Sequence, residues 1–191
     1  MIEKAIETAG VAKKLFENRT LFLSSPVTSE QTKTIVSALF ALDLDDPSKP
    51  ITFFQNSPGG EVHSGFAIYD AIKAIKAPVS VVNTGLCASI ATIINVAVPK
   101  ERRYSLPNCE FMIHQPLISG QIRGQASDLE ITAKEMDKTR AKLNSILAEA
   151  CGQSLDKVEN DTKRDYWMSS KEALEYGLIG SVIESVSEIR A

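Results

Sequence analysis

Ser89, within Gly85-Leu86-Cys87-Ala88-Ser89-Ile90-Ala91, and His114, within Met112-Ile113-His114-Gln115-Pro116, are the residues whose types and settings could do chemistry together. A serine hydroxyl becomes an effective nucleophile when a neighbouring base takes its proton, and imidazole is the side chain suited to that near neutral pH. The β-branched stretch Val79 to Thr84 reads as a strand that stops at Gly85, and the apolar run Ile90 to Val98 reads as a buried helix. Ser89 then sits at a helix N-terminus, where unpaired N–H groups carry partial positive charge able to stabilise an oxyanion. Small Ala88 and Ala91 leave room for a substrate carbonyl. An isolated serine in that place more often simply caps the helix, so further groups are needed.

The chain has two histidines, so an imidazole base is His63 or His114. His114 ends the apolar strand Phe111-Met112-Ile113 just before a proline turns the chain, and element ends are where rigid scaffolds present reactive groups. His63 lies in a polar segment and reads as a surface residue. A carboxylate would be needed to hold the imidazole tautomer and stabilise the imidazolium. Asp165 precedes the apolar run Tyr166-Trp167-Met168, which should shelter it from bulk water, and Asp161 is the competitor one helical turn earlier. The residues alone leave that choice open, with surface pairing of Asp165 to Lys163 or Arg164 as the plain alternative.

These groups need a scaffold of ordinary size. The 191 residues fit one domain with a single core, and a net charge of −3 without long basic runs argues against nucleic acid as the main partner. Cys87, Cys109 and Cys151 are odd in number and widely spaced, which suits reduced thiols in a cytosol-like compartment and no zinc site. The first ten residues lack a signal-peptide pattern, and no apolar run reaches membrane-spanning length. A soluble, cytoplasmic protein is expected.

Helices and strands alternate over short connections, an α/β pattern. Thr28 and Gln31 make a capping box for a helix with Ile35, Leu39 and Leu42 on one face, ended by Asp45-Asp46-Pro47. Ile51 to Gln55 reads as a buried strand, followed by the breaker cluster Asn56-Ser57-Pro58-Gly59-Gly60 and a helix from Phe66 to Ile75. Arg103 to Leu106 and Glu110 to His114 read as strands, Ser154 opens a small helix, and Tyr166 to Met168 reads as a brief strand. Ser169 to Glu172 begins a capped helix ending at Gly177, and Leu178 to Glu184 reads as a closing strand. The longest helix should start near Ser127, capped by Glu130, and run to Cys151 before Gly152, roughly 36 Å at about 1.5 Å per residue. That is about as long as the domain is wide, so its stripe of Leu129, Ala133, Met136, Leu143, Leu147 and Ala150 should project toward an oligomeric partner. The alternative lays the helix across the domain's back.

From about Lys14 to Ile183 the chain resembles the ClpP family, the proteolytic subunits of the caseinolytic protease. The motifs are Asn56-Ser57-Pro58-Gly59-Gly60, Ala67-Ile68-Tyr69-Asp70, the Ser89 segment, Met112 to Pro116, Gly124-Gln125-Ala126, Gly152-Gln153-Ser154, and Glu172-Ala173 with Tyr176-Gly177-Leu178. The resemblance implies a ClpP/crotonase-like spiral of βαβ units with a projecting handle. Within a single domain, 1–13 would be an N-terminal segment, 14–114 and 153–191 the head, and 115–152 the handle. It further implies Ser89 as nucleophile, His114 as base and acid, Asp165 as orienting carboxylate, and the N–H groups of Gly60 and Ile90 as oxyanion hole. A peptide would lie extended between the segments Gly59, Gly60 to Val62 and Leu117. No cofactor or metal is implied. The implied partners are copies of this chain in heptameric rings stacked as a tetradecamer, an AAA+ unfoldase of the ClpX, ClpA or ClpC type, and unfolded polypeptide, with no nucleic acid and no membrane.

Several positions depart from the family pattern. Cys87 and Ile90 stand for the usual alanine and methionine, and Lys163 stands where an acidic residue commonly pairs with the adjacent arginine across the ring interface. Thr52 and Ala74 replace aromatic residues of the unfoldase-docking pocket, the usual axial-loop sequence is absent, and the handle stretch Ile118 to Gly124 is about two residues longer. These departures suggest one of two paralogous subunits that depends on a second type of ring. A ring subunit without catalysis, and a crotonase-type acyl-CoA enzyme sharing the fold and oxyanion hole but not needing Ser89 or His114, are the other readings.

Overall fold

A single strand, Val79–Ala88 (β3), organises the sheet by pairing with different neighbours along its length. The computed structural model describes residues 2–117 and 124–189. The order of strands is β1 (Thr20–Leu23), β2 (Ile51–Ser57), β3, β4 (Arg103–Ser105) and β7 (Ser181–Val182), all parallel. The second half of β3 pairs in parallel with β5 (Glu110–Ile113), which pairs antiparallel with β6 (Tyr166–Ser169). Strands buried on both faces should read as continuous apolar runs, and Val79, Val81 and Val82 are indeed buried.

The strand does not stop at Gly85, as the sequence suggests, but bends there. Gly85 adopts φ 63°, and Asn56 Oδ1 accepts a hydrogen bond from Leu86 N–H at 3.1 Å, so the chain rejoins the sheet three residues before Ser89. Between the pairs Gln55↔Asn83 and Ser57↔Cys87, β2 advances two residues while β3 advances four.

Helices α1 (Ile2–Glu17), α2 (Ser29–Asp45), α3 (Val62–Ala74) and α4 (Ile90–Asn95) alternate with the first strands, and α5 (Ala126–Cys151), α6 (Leu155–Asp161) and α7 (Ser170–Tyr176) follow. Thr28 caps α2 through its side chain, Ser154 caps α6, and Ser169 with Glu172 forms a reciprocal capping box on α7. Gly152 and Gly177 end α5 and α7 in the left-handed conformation. Ile35, Leu39 and Leu42 bury one face of α2.

Four further expectations need correction. Helix α4 ends at Asn95 rather than Val98, with Val96 in the cap position three residues before Pro99, and helices end at or before the residue preceding a proline. Helix α5 begins at Ala126 with Gln125 as its cap position, so Ser127 lies inside the helix and forms no capping box. Helix α3 starts at Val62, four residues before Phe66. The closing strand shrinks to two residues, since Leu178 and Ile179 turn inward to the core instead of joining the ladder. The stretch Ile118 to Arg123, which carries most of the expected Gly-rich handle, lies outside the described residues.

At about 1.5 Å per residue the 26-residue α5 spans roughly 39 Å. Its C-terminal half buries Leu143, Leu147, Ala148 and Cys151, whereas Leu129 and Ile131 near its start are exposed. The helix therefore reaches past the core, and Leu129 and Ile131 forgo part of the roughly 1.5–3 kcal/mol that full burial of such a side chain supplies, which a partner could recover. Among the described residues no helix is long and apolar enough to cross a membrane.

All three cysteines are free and buried, and burial pushes Cys109 up to about 12, Cys151 up to about 11 and Cys87 well above its ordinary value. Iodoacetamide at pH 8 should therefore leave the native protein unmodified over a period in which the denatured chain takes up three equivalents, as read by intact mass. Rapid native labelling would contradict this packing.

Candidate active site

The register of β3, β5 and β6 brings three side chains together. The pairs Leu86↔Glu110, Cys87↔Phe111 and Ala88↔Met112 carry β3 alongside β5, and Ser89 N–H extends the ladder by donating to Met112 O at 2.8 Å. On the far side of β5, Ile113 pairs with Tyr166, so His114 and Asp165 emerge opposite one another as the strands end. Gln115 N–H donates to Thr162 O at 2.7 Å and holds the two emerging segments together.

His114 Nε2 lies 2.8 Å from Ser89 Oγ, and its Nδ1 lies 3.2 Å from Asp165 Oδ1. An ionised carboxylate only accepts, so Nδ1–H donates to Asp165, and the Nε2 lone pair is left to accept the Ser89 hydroxyl proton. The arrangement can thus draw a proton from the hydroxyl and hold the resulting imidazolium.

Ser89 does not cap α4. Its side chain makes no capping hydrogen bond and turns to His114, while its backbone takes φ 57° and ψ −129°, a conformation that L-residues rarely adopt. A sharp strand-to-helix turn of this kind lifts a nucleophile clear of its neighbours. Thr92 steadies the turn, its hydroxyl donating to Ser89 O at 2.7 Å.

Gly59 and Gly60 form the facing wall. Gly59 takes φ 89°, and a Cβ there would fall 2.6 Å from Ser89 Cβ and 2.7 Å from Ala88 O. Gly60 takes φ 151° against Val27, in a bridge built from Val27 N–H to Gly59 O and Glu61 N–H to Val27 O, which leaves Gly60 N–H out of the ladder. Ile90 opens α4, so its N–H has no intrahelical acceptor. Val62 is half-buried at the start of α3, and Leu117 is 64% exposed.

Asp161 is engaged elsewhere, accepting from Lys157 Nζ at 2.6 Å and from the Tyr176 hydroxyl at 3.0 Å. Burial first, and then Asp161, raise the Tyr176 phenol above its ordinary range. His63 is exposed on α3. One expectation fails: Asp165 is not sheltered. Its side chain is 61% exposed, because Tyr166 and Trp167 lie on the sheet's open edge and only Met168 turns inward. His114, at 14% exposure, carries the burial instead.

A small cavity of about 20 Å³ opens beside Ser89, lined by Val62, Ile90, Ile113, Leu143 and Leu147. In the sequence Leu143 and Leu147 read only as part of the stripe of α5. Their spacing of four placed them on one face, but only the packing of α5 over α4 shows that this face meets the serine. Among the described residues no three histidine, cysteine or acidic side chains gather as a metal site.

Gly59→Ala should cost about 1–2 kcal/mol of stability through its left-handed backbone. It should also slow fluorophosphonate labelling of Ser89 by ~100-fold or more, the scale on which a misplacement of about 1 Å acts. Asp165→Asn should slow the same labelling roughly a hundredfold, whereas Asp161→Asn should leave it within about threefold and cost about 1 kcal/mol of stability. Equal effects of the two aspartate variants would contradict the assignment of partners.

The model of the Clp protease family matches residues 3–186. The ATP-dependent Clp protease proteolytic subunit 1 of Protochlamydia amoebophila (strain UWE25) is 48% identical over 177 residues, covering 93% of this chain and 86% of that protein. A subunit 2 from Treponema pallidum (strain Nichols) is 45% identical over 177 residues, covering 93% and 88%. In structure the chain is similar to a mutant of ClpP1 from Listeria monocytogenes, with a TM-score of 0.86 and 39% identity, covering 94% of this chain and 99% of that one. With the fold, the hydrogen-bonded serine and the sequence in agreement, the chain belongs to the Clp protease family of serine endopeptidases.

Proposed function

We propose that Ser89, His114 and Asp165 carry out peptide-bond hydrolysis through an acyl-enzyme. The observation that carries this reading is the continuous hydrogen-bonded chain from Asp165 through His114 to a strained Ser89. In the first half-reaction Ser89 Oγ attacks the scissile carbonyl while its proton passes to His114 Nε2, and Asp165 stabilises the imidazolium through Nδ1–H. The N–H groups of Gly60 and Ile90 receive the developing oxyanion, and His114 then protonates the leaving amine. Water, deprotonated by His114, releases the acyl group by the same path in reverse. The apolar lining of the small cavity, Val62, Ile90 and Leu143, suits an apolar group beside the scissile bond. The extended segments around Gly60 and Leu117 suit a peptide added as a strand.

The chain works within a cytoplasmic, chambered assembly in this reading, with heptameric rings stacked into a tetradecamer and the region 115–152 as the handle between them. The exposed start of α5 supports it. An apolar groove of about 470 Å³, lined by Val11, Leu15, Phe16, Phe22 and Ile35, is the docking surface for an ATP-driven unfoldase. Beside it Phe22 and Phe54 stack with centroids 5.1 Å apart, which supplies aromatic surface although Thr52 and Ala74 do not. Lys163, whose ammonium meets only the side-chain oxygen of Asn160 among the described residues, stands next to Arg164. Two adjacent cations repel their symmetry mates, so the chain's ring pairs best with a paralogous ring that presents acidic groups.

The test combines hydrolysis of a fluorogenic peptide with the native mass. The assembled wild-type chain, alone or with a paralogue, should cleave the peptide, and Ser89→Ala should abolish cleavage without changing the mass. Cleavage that survives Ser89→Ala would overturn the mechanism. Lys163→Glu should raise the fraction of double rings formed by this chain alone, and the gain should shrink at high salt. An unchanged mass distribution would remove Lys163 from the assembly argument.

A further inference from the structure

Behind the nucleophile lies a chain of buried amides that the peptidase reading does not use. Gln55, Asn83 and Asn95 are each fully buried. Gln55 Nε2 donates to Asn83 Oδ1 at 3.1 Å and to Ala91 O at 2.9 Å, and it lies 3.1 Å from Cys87 Sγ. Asn83 Nδ2 donates to Asn95 Oδ1 at 2.7 Å and to Tyr104 O at 2.9 Å, and Asn95 Nδ2 donates to Leu178 O at 2.8 Å. Three backbone carbonyls fix the direction of all three amides, since only an NH2 group can satisfy them.

The geometry of this relay is specific to the serine. Gln55 bridges the two sides of the bend in β3, Asn83 before it and Cys87 after it, and grips α4 at Ala91, two residues past Ser89. Asn83 grips Asn95, the last residue of α4. Six residues are too few for a helix to hold its own position, so its place over the sheet comes from packing and from these two clamps. Gln55 Oε1 is left without a hydrogen-bond partner, the one such buried side-chain atom among the described residues. An apolar side chain of the same length would fill the space without that penalty, so what distinguishes the amide is the pair of bonds it donates.

We propose that Gln55, Asn83 and Asn95 are positioning residues, a buried amide relay that fixes α4 against the bend of β3 and thereby sets Ser89 Oγ toward His114 and Ile90 N–H toward the oxyanion. The proposal rests on the reading of Ser89 as nucleophile. Its effect lies on the rate of acyl transfer and not on substrate affinity, because none of the three touches the cavity beside Ser89.

The test uses the full-length chain in its active assembly, wild type beside Gln55→Met and Asn95→Leu. Peptide hydrolysis, fluorophosphonate labelling of Ser89, native mass and thermal unfolding are measured for each. Both variants should lose about ten- to a hundredfold in kcat with KM within about twofold, and the labelling rate should fall in parallel at unchanged mass. Wild-type kcat and labelling rate in the assembled variants, whatever happens to Tm, would overturn the relay and leave it a plain core feature. Should neither variant assemble, the milder Asn95→Ser decides by the same two rates. An active wild-type assembly in which Ser89 stays unlabelled overturns the site reading and the relay together, whereas full labelling in the variants overturns the relay alone.

Discussion

The register of β5 against its two neighbours is the constraint on which the rest of the molecule depends. Parallel pairing with β3 and antiparallel pairing with β6 bring residues 89, 114 and 165 to one end of the sheet, where the chains leave the ladder. Side chains alternate with a period of two, so a slip of one residue in either pairing would turn a member of the triad to the opposite face. Backbone bonds outside the strands lock both pairings, Ser89 N–H to Met112 O on one side and Gln115 N–H to Thr162 O on the other. The distances among Ser89, His114 and Asp165 are thus inherited from the sheet and not from the flexibility of long side chains.

That register in turn requires the bend at Gly85. The first half of β3 pairs within the main parallel run of the sheet and the second half with the β5–β6 branch, at whose end His114 and Asp165 emerge. One glycine in the left-handed region, braced by the Asn56 side chain, lets a single strand serve both. The strained turn at Ser89 follows directly, held by Thr92 on its carbonyl and confined by the bare Cα of Gly59. Strain at one residue costs of order 1–3 kcal/mol and persists because the surrounding sheet and core over-determine it.

Much of this was legible in the residues. Apolar periodicity and capping residues placed α2, α6 and α7, and the breaker cluster at Asn56 to Gly60 marked the turn before α3. His114 was readable because a proline two residues later ends its strand. Choosing Asp165 over Asp161 was not possible from local pattern, because the choice depends on the pairing of β5 with β6 and on the Lys157 and Tyr176 contacts that occupy Asp161. Pattern also misled where tertiary contacts overrode it. Gly85 reads as a strand end, Ser127 as a cap, and Tyr166-Trp167 as core, yet the first is a bend, the second lies inside a helix and the third is an exposed edge. The buried amides of Gln55, Asn83 and Asn95 gave no local signal, since polar residues in apolar strands reveal their purpose only through partners distant in sequence.

In the proposed mechanism Gly60 N–H and Ile90 N–H converge on an oxyanion formed at Ser89. A crystal structure of the assembled protein inactivated with a peptidyl phosphonate tests it most directly. The phosphorus should be bonded to Ser89 Oγ, with one phosphonyl oxygen about 2.7–3.1 Å from both N–H groups and His114 still in contact with Asp165. An adduct on another residue, or a phosphonyl oxygen turned to solvent with both N–H groups unengaged, would contradict the account.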